Sequence, residues 1–411
     1  MPTFSRNLMN TKMLAMLVLG FSSGLPLALT GSTLQAWFTK SGVNLMAIGM
    51  LSLLGLPYIL KFLWAPLMDQ FHFPGGRHRG WILFTQFGLF LMLFILANMN
   101  PNQHATLIGL LAITIAFLSA SQDVAIDAYR TDMLEPQERG IGVAYYTFAY
   151  RMAMLVSGGL AWVLADTFGW RMTYQTMAVL LLFAMVMTYR APAAPVVTLP
   201  RQSLWCTISQ AFYYLLSQEK IALLLLFVAL YKFGDALSAA LLSNFLLHEL
   251  GFSLTEIGLA YKIISIVATI MGAFVGGVIL TRMSLYTALL WFGLAQAFAI
   301  LTLVALAMLG KNFIFMFITL FVDSFCSGMG TTAFLAFLMS LCDKRYTATH
   351  FAFLSAIASL GRVFLGPAAA LLVEQVGWVQ FYLWSFFLSF PGLLVLMLLK
   401  TRVNDYATAV E

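Results

Sequence analysis

The sequence predicts an all-α membrane protein: twelve transmembrane helices arranged as two six-helix halves. Three observations predict it. The 411-residue chain is 61% hydrophobic and only 9% charged, where a soluble domain carries roughly a quarter charged residues. Its apolar runs reach the about 20 residues that a bilayer crossing needs. Stretches of the second half repeat stretches of the first at a near-constant offset.

The runs fall at 12–37, 44–68, 80–98, 104–133, 141–165, 171–189, 219–247, 254–280, 285–309, 312–341, 347–374 and 378–400. Turn and charge signals separate them: Ser41-Gly42, Pro74-Gly75-Gly76, Glu135-Pro136, Gly169, Gly251, Gly310-Lys311 and Gly377. The first run follows Arg6 and Lys12, but it is long for a signal peptide and lacks a clean cleavage site, so it reads as an uncleaved helix. Within it, Gly, Ser and Thr allow close helix approach, Pro26 is placed to kink it, and Trp37 reads as an interface anchor, with a sugar-stacking platform as the other reading. "SLTE" at 253–256 reads as a capping box opening the eighth span, with Ser253 as N-cap and Glu256 at N3.

Basic residues set the orientation. Arg6, Lys12, Arg77, Arg79, Arg139, Arg190, Arg201, Lys220, Arg282, Lys344, Arg345, Lys400 and Arg402 fall on one side, and the other side holds only Lys40, Arg171 and Lys311. The positive-inside rule then puts both termini in the cytoplasm. The same rule accounts for the net charge of +6 without a nucleic-acid partner. The longest polar interval, with three prolines, lies at mid-chain. It divides an N-terminal half, 1–189, from a C-terminal half, 219–411, by a cytoplasmic linker, 190–218.

The halves match internally. "SGVNLMAIGML" at 41–51 pairs with "LGFSLTEIGLA" at 250–260, and "ADTFGW" at 165–170 with "VEQVGW" at 373–378. Asp132 and Arg151 have the same spacing as Asp343 and Arg362. Two parallel six-helix repeats on a cytoplasmic linker resemble the major facilitator superfamily, whose substrate site lies between the halves near the midplane. "APLMDQFHFPGGRHRG" at 65–80 resembles that superfamily's inner-gate loop. The resemblance implies that Asp69 holds a helix end and that Arg77 and Arg79 pair across the closed cytoplasmic face.

A charge facing lipid costs several kcal/mol, so charges within spans must face the bundle interior. On the fourth span, Asp123, Asp127 and Arg130 stand at i, i+4 and i+7 and share one face, while Asp132 points away. Two carboxylates and one guanidinium suit proton coupling, because neighbouring buried acids hinder one another's ionisation. A static ion-pair network is the other reading. Candidate substrate contacts are Gln35, Lys61, Gln122, Arg151, Lys232, Asp235, Lys262, Asp323 and Arg362, with Lys61 the natural partner for the acids of span four. A cavity basic on balance is expected from this set.

"GLPLALTGSTLQAW", "LKFLWAPLMD", "ASQDVAIDAYRTDML", "ERGIGVAYYTFAYRMAMLVSGG", "LYKFGDA", "GMGTTAFLAFLMSLCDKRYTATHFAFLSA" and "TRVNDY" occur in order along the chain. Taken together they resemble the AmpG-type muropeptide permeases. Parts of them recur in the related acetyl-CoA and siderophore permeases. The resemblance implies proton-coupled import, across the bacterial inner membrane, of N-acetylglucosaminyl-1,6-anhydro-N-acetylmuramic acid carrying a short peptide. That import serves peptidoglycan recycling and, in some bacteria, β-lactamase induction. Arg130 stands where the family pattern has lysine, and Asp323 where it has glutamate. Many relatives carry further helices after the twelfth. Import of another bulky polar solute, such as a siderophore, is the alternative.

Nothing in the sequence points to an enzyme. There is no Walker loop, the histidines at 72, 78, 104, 248 and 350 lie at or near loops, and no metal-ligand spacing occurs. Cys206, Cys326 and Cys342 are too few and too scattered for a disulfide framework. No catalytic residues, metal or cofactor are expected. The expected partners are the muropeptide, protons and membrane lipid around a monomer.

Overall fold

The computed structural model describes residues 10–42, 51–71, 73–193, 204–242, 245–252 and 263–403. The described residues are helical throughout, joined by short turns, with no strand among them. In chain order the α-helices are α1 (Thr11–Ala28), α2 (Leu34–Lys40), α3 (Leu56–Leu60), α4 (Ala65–Gln70), α5 (Arg77–Ala97), α6 (Pro101–Met133), α7 (Pro136–Met154), α8 (Ala161–Tyr189), α9 (Leu204–Leu216), α10 (Ile221–Leu230), α11 (Phe233–Ala240), α12 (Ser265–Leu280), α13 (Leu285–Leu309), α14 (Phe313–Ser340), α15 (Thr347–Phe387) and α16 (Phe390–Leu398). Eight helical runs among the described residues are long and apolar enough to cross a membrane, and three of them carry a non-helical glycine inside. Each of the twelve sequence-predicted spans has a helical counterpart among the described residues.

Where spans break, the sequence supplies the cause. Pro57 and Pro66 open α3 and α4, so the second span is a chain of short helical pieces, and Lys61 sits at one of their joints. In the first span the interruption is not at Pro26, which α1 absorbs, but at Gly31, inside a widened π-type turn. A second widened turn, Leu155–Leu160, follows α7, and Thr33 donates from the first turn to the Ser157 carbonyl at 2.6 Å.

The chain separates into two compact units. The first comprises Met1–Glu135, Tyr145–Tyr213 and Cys342–Phe353, and the second Pro136–Ala144, Tyr214–Leu341 and Leu354–Glu411. Each has its own core. In the first, Trp37 stacks on Trp170 at 5.8 Å and lies against Tyr174 at 5.1 Å. In the second, Phe245 lies against Trp378 at 5.0 Å and Tyr382 at 5.1 Å. Phe245, Trp378 and Tyr382 each stand 208 positions after Trp37, Trp170 and Tyr174. The repeat therefore extends to side-chain packing. Trp37 is buried in this core, its ring enclosed by protein. The repeat also recurs in the backbone: Gly42 and Gly251 have φ of 71° and 65°, and Gly169 and Gly377 have 82° and 77°. These turns use a conformation that side chains rarely tolerate.

Candidate functional site

Each unit holds a charge cluster, buried in the first and part-buried in the second. The first is built on α6. Asp127 accepts from Arg130 Nη2 at 2.9 Å and from Lys61 Nζ at 3.3 Å. Asp127 thus takes both bases. Asp123, one turn earlier, accepts instead from the Ser23 hydroxyl at 2.5 Å, and Ser23 bonds in turn to the Tyr146 hydroxyl at 2.9 Å. Close packing makes this reach possible. A methyl at Gly20 or Gly24 would strike the backbone carbonyl of Tyr146 or Tyr150, so only glycine lets α1 lie so close to α7.

Arg130 is 1% exposed and lies between two rings, Tyr146 at 4.4 Å and Phe351 at 5.6 Å. Its Nε and Nη1 are buried with no hydrogen-bond partner among the described residues. Buried polar groups are nearly always satisfied, so a guanidinium with spare donors is set to receive a further acceptor.

The second cluster belongs to the second unit. Lys232, at the start of α11, contacts Asp235 at 3.5 Å and the Ser327 carbonyl at 3.3 Å, and the Ser327 hydroxyl donates to Asp235 at 3.1 Å. Asp323 stands one turn before Ser327 on α14. This cluster holds two acids and one base among the described residues.

The end of α4, the start of α5 and the start of α15 meet within the first unit. Asp69 is fully buried. It accepts from the Ala348 and Thr349 amides at 3.2 and 2.8 Å, from the Thr349 hydroxyl at 2.6 Å and from Arg77 at 2.9 Å. Arg77 also donates to the carbonyls of Lys344, at 2.7 Å, and Arg345. Asp132 bonds to His78 at 2.8 Å and accepts from Thr347 at 2.7 Å. Arg79 departs from the expected gate. It donates to Gly75 and Ala191, both at 2.7 Å, and so serves its own loop and the end of α8. Nearby, burial works to raise Asp343, but hydrogen bonds and charge from Arg345 prevail and hold its carboxyl below the usual range.

The other candidates separate. Gln122 is fully buried and spends its amide on Ser22 at 2.7 Å, beside Gln86, which does the same at 3.0 Å. It belongs to the packing of α1, α5 and α6. Gln35 is exposed. Arg151 is partly buried and pairs with no carboxylate among the described residues. Lys262, the Arg362 side chain and the Ser253–Glu256 capping box lie outside what is described. Sequence reasoning passed over Ser23, Tyr146, Thr349 and Phe351. "FSSG" and the Tyr146–Tyr150 spacing were the available signals for the first two.

The profile of the Major Facilitator Superfamily matches residues 13–310 and 224–409. Over 401 residues the chain is 43% identical to the anhydromuropeptide permease of Escherichia coli K12, covering 95% of this chain and 81% of that one. The chain belongs to the AmpG-type permeases of the Major Facilitator Superfamily. A putative transporter, AmpG 4, of Rickettsia conorii is 31% identical over 94% of this chain and 96% of its own. Among solved structures, the fucose:proton symporter FucP in an outward conformation matches with a TM-score of 0.72 at 12% identity, covering 99% of this chain and all of that one. The proton:xylose symporter XylE matches at 0.71 and 13%, covering 97% and 98%. These AmpG-type and facilitator relatives make the chain a multi-pass membrane transporter, not an enzyme.

Proposed function

We propose that this AmpG-type permease imports N-acetylglucosaminyl-1,6-anhydro-N-acetylmuramic acid peptides across the bacterial inner membrane, driven by protons, for peptidoglycan recycling. The observation that carries the reading is the 43% identity, over nearly the whole chain, to a protein named for anhydromuropeptides. The halves 1–189 and 219–411 alternate access around a central site, joined by the linker 190–218, with both termini cytoplasmic and the transporter monomeric.

The chemistry of the α6 cluster supports the reading. A muropeptide brings peptide carboxylates, and Arg130 has buried donors to spare. Protonation of the Asp123–Asp127 pair frees Arg130 and Lys61 for those carboxylates, and loss of the proton to the cytoplasm restores the pairing and releases substrate. Arg151, Lys232, Lys262 and Arg362 offer further positive charge. Asp69 and Arg77, bound to the start of α15, form the cytoplasmic gate, and Arg79 stiffens its loop.

Proteoliposomes with an imposed pH gradient test this. Labelled GlcNAc-anhydroMurNAc-tripeptide should enter saturably and only with the gradient, while GlcNAc and a ferric siderophore should not. Siderophore entry without muropeptide entry, from correctly inserted protein, would overturn the substrate assignment.

A further inference from the structure

Asp123 and Asp127 lie one turn apart on one helix, yet their surroundings differ. Asp127 is held by two cations, Lys61 and Arg130. Asp123 is held by a hydroxyl, that of Ser23. One residue touches both arrangements. Tyr146 bonds through its hydroxyl to Ser23, and its ring face carries the Arg130 guanidinium at 4.4 Å.

We infer that Tyr146 is the positioning residue of the proton site, ordering Ser23 onto Asp123 with its hydroxyl and Arg130 onto Asp127 with its ring. The inference rests on the proton-coupled reading above. With Asp123 charged, the chain runs one way: Tyr146 O–H to Ser23, and Ser23 O–H to the carboxylate. When a proton arrives on Asp123 the carboxyl becomes a donor, and the two hydroxyls turn to accept along the same path. No covalent bond changes other than that of the arriving proton. The ring, meanwhile, satisfies by cation–π attraction a guanidinium that has lost part of its hold on Asp127. A single side chain thus keeps both acids in register while the proton count changes.

The other groups facing Asp123 are Lys61, Asp127, Arg130 and Tyr58. None of them is removed by the test. Ser23→Ala deletes the direct donor to the charged carboxylate. Tyr146→Phe deletes the hydroxyl and keeps the ring. Tyr146→Leu deletes both. The readouts are the pH at half-maximal gradient-driven uptake of labelled GlcNAc-anhydroMurNAc-tripeptide, and substrate exchange at equal pH on both sides.

Ser23→Ala should move the pH midpoint upward by about one unit, since a hydrogen bond to a charged group is worth about that much. Tyr146→Phe should move it the same way by less, with exchange retained. Tyr146→Leu should lose gradient-driven uptake about tenfold relative to Tyr146→Phe, because Arg130 loses its ring. Should the leucine variant fail to fold, the phenylalanine and alanine variants decide. Midpoints for both that superimpose on the wild type would overturn the inference. Absence of any gradient dependence in the wild type would instead overturn the proton-coupled reading beneath it.

Discussion

Asp69 accepts both the amide and the hydroxyl of Thr349, a residue 280 positions further along the chain. The first amides of a helix have no partner within it and carry positive partial charge. An acid at the end of α4 satisfies two of them on α15, and Arg77 completes its shell. A short polar loop so becomes a fixed point for a segment from the far end of the sequence.

Removing that acid should be severe. Asp69→Ala leaves Arg77 with only the more distant carboxylate of Asp132, at 3.8 Å, and removes the acceptor of two amides at the start of α15. Breaking a buried pair from one side costs about 3–5 kcal/mol. A large fall in Tm in detergent, with loss of muropeptide uptake, is the expected outcome. Asp69→Asn, which can still accept from the amides, should retain part of both.

Arg77 and Arg79 look interchangeable in "RHRG", and the structure separates them. Arg77 is buried on Asp69 and the Lys344 and Arg345 carbonyls, whereas Arg79 donates to two carbonyls at the edge. Arg77→Ala should therefore abolish uptake, while Arg79→Ala should lower stability by about 1 kcal/mol and keep most transport. Equal losses in the two variants would contradict the geometry.

The architecture was legible because the membrane leaves so few alternatives. Apolar length, charge side and a near-constant offset fixed the spans and the repeat, and Gly169 with Gly377 could be aligned from sequence alone. The facing of Asp123, Asp127 and Arg130 followed from helical periodicity. Which base meets which acid did not, because that depends on how closely helices approach, and approach is set by residues with no chemistry of their own. Gly20 and Gly24 bring α1, and with it Ser23, against Tyr146 on α7, and no charge pattern announces a serine. Trp37 misled for a related reason. An aromatic near a span end suits the interface in general, but here a repeat-wide aromatic core claims it.

The unequal shells of Asp123 and Asp127 predict unequal costs. Asp127→Asn leaves Lys61 and Arg130 buried without the carboxylate they share, so it should destabilise by about 3–5 kcal/mol. It should abolish gradient-driven uptake and leave some exchange. Asp123→Asn keeps a side-chain oxygen for Ser23 and should cost about 1 kcal/mol or less while losing gradient-driven uptake as fully. Thermal unfolding of the two variants side by side checks the first claim, and full gradient dependence in Asp127→Asn would sink the second.

Asp343 gives a pH prediction with a definite sign. Its carboxyl is held below the ordinary range by Arg345. Its contribution is therefore present above the unfolded-state carboxylate value and is lost only as pH falls through the lower folded value. The pair is part-exposed, so the effect is small. In Asp343→Asn the acid limb of the stability curve should be shallower than in the wild type, and stability measured across pH 3 to 5 reads the difference.

The aromatic triads offer a test of whether Trp37 belongs to packing or to sugar recognition. It is buried against Trp170 and Tyr174, as Phe245 is against Trp378 and Tyr382. Large-to-small changes in such a core cost about 3–5 kcal/mol, so Trp37→Ala and Phe245→Ala should lower Tm by similar amounts. Trp37→Phe keeps most of the packed area and should lower it much less. If packing is the whole role, the KM for the muropeptide in Trp37→Phe stays at the wild-type value, and only the amount of folded transporter changes. A sugar platform predicts the reverse: a raised KM at unchanged Tm. Packing should prevail, because the Trp37 ring has both neighbours in van der Waals reach and no face left open to a ligand at 4% exposure.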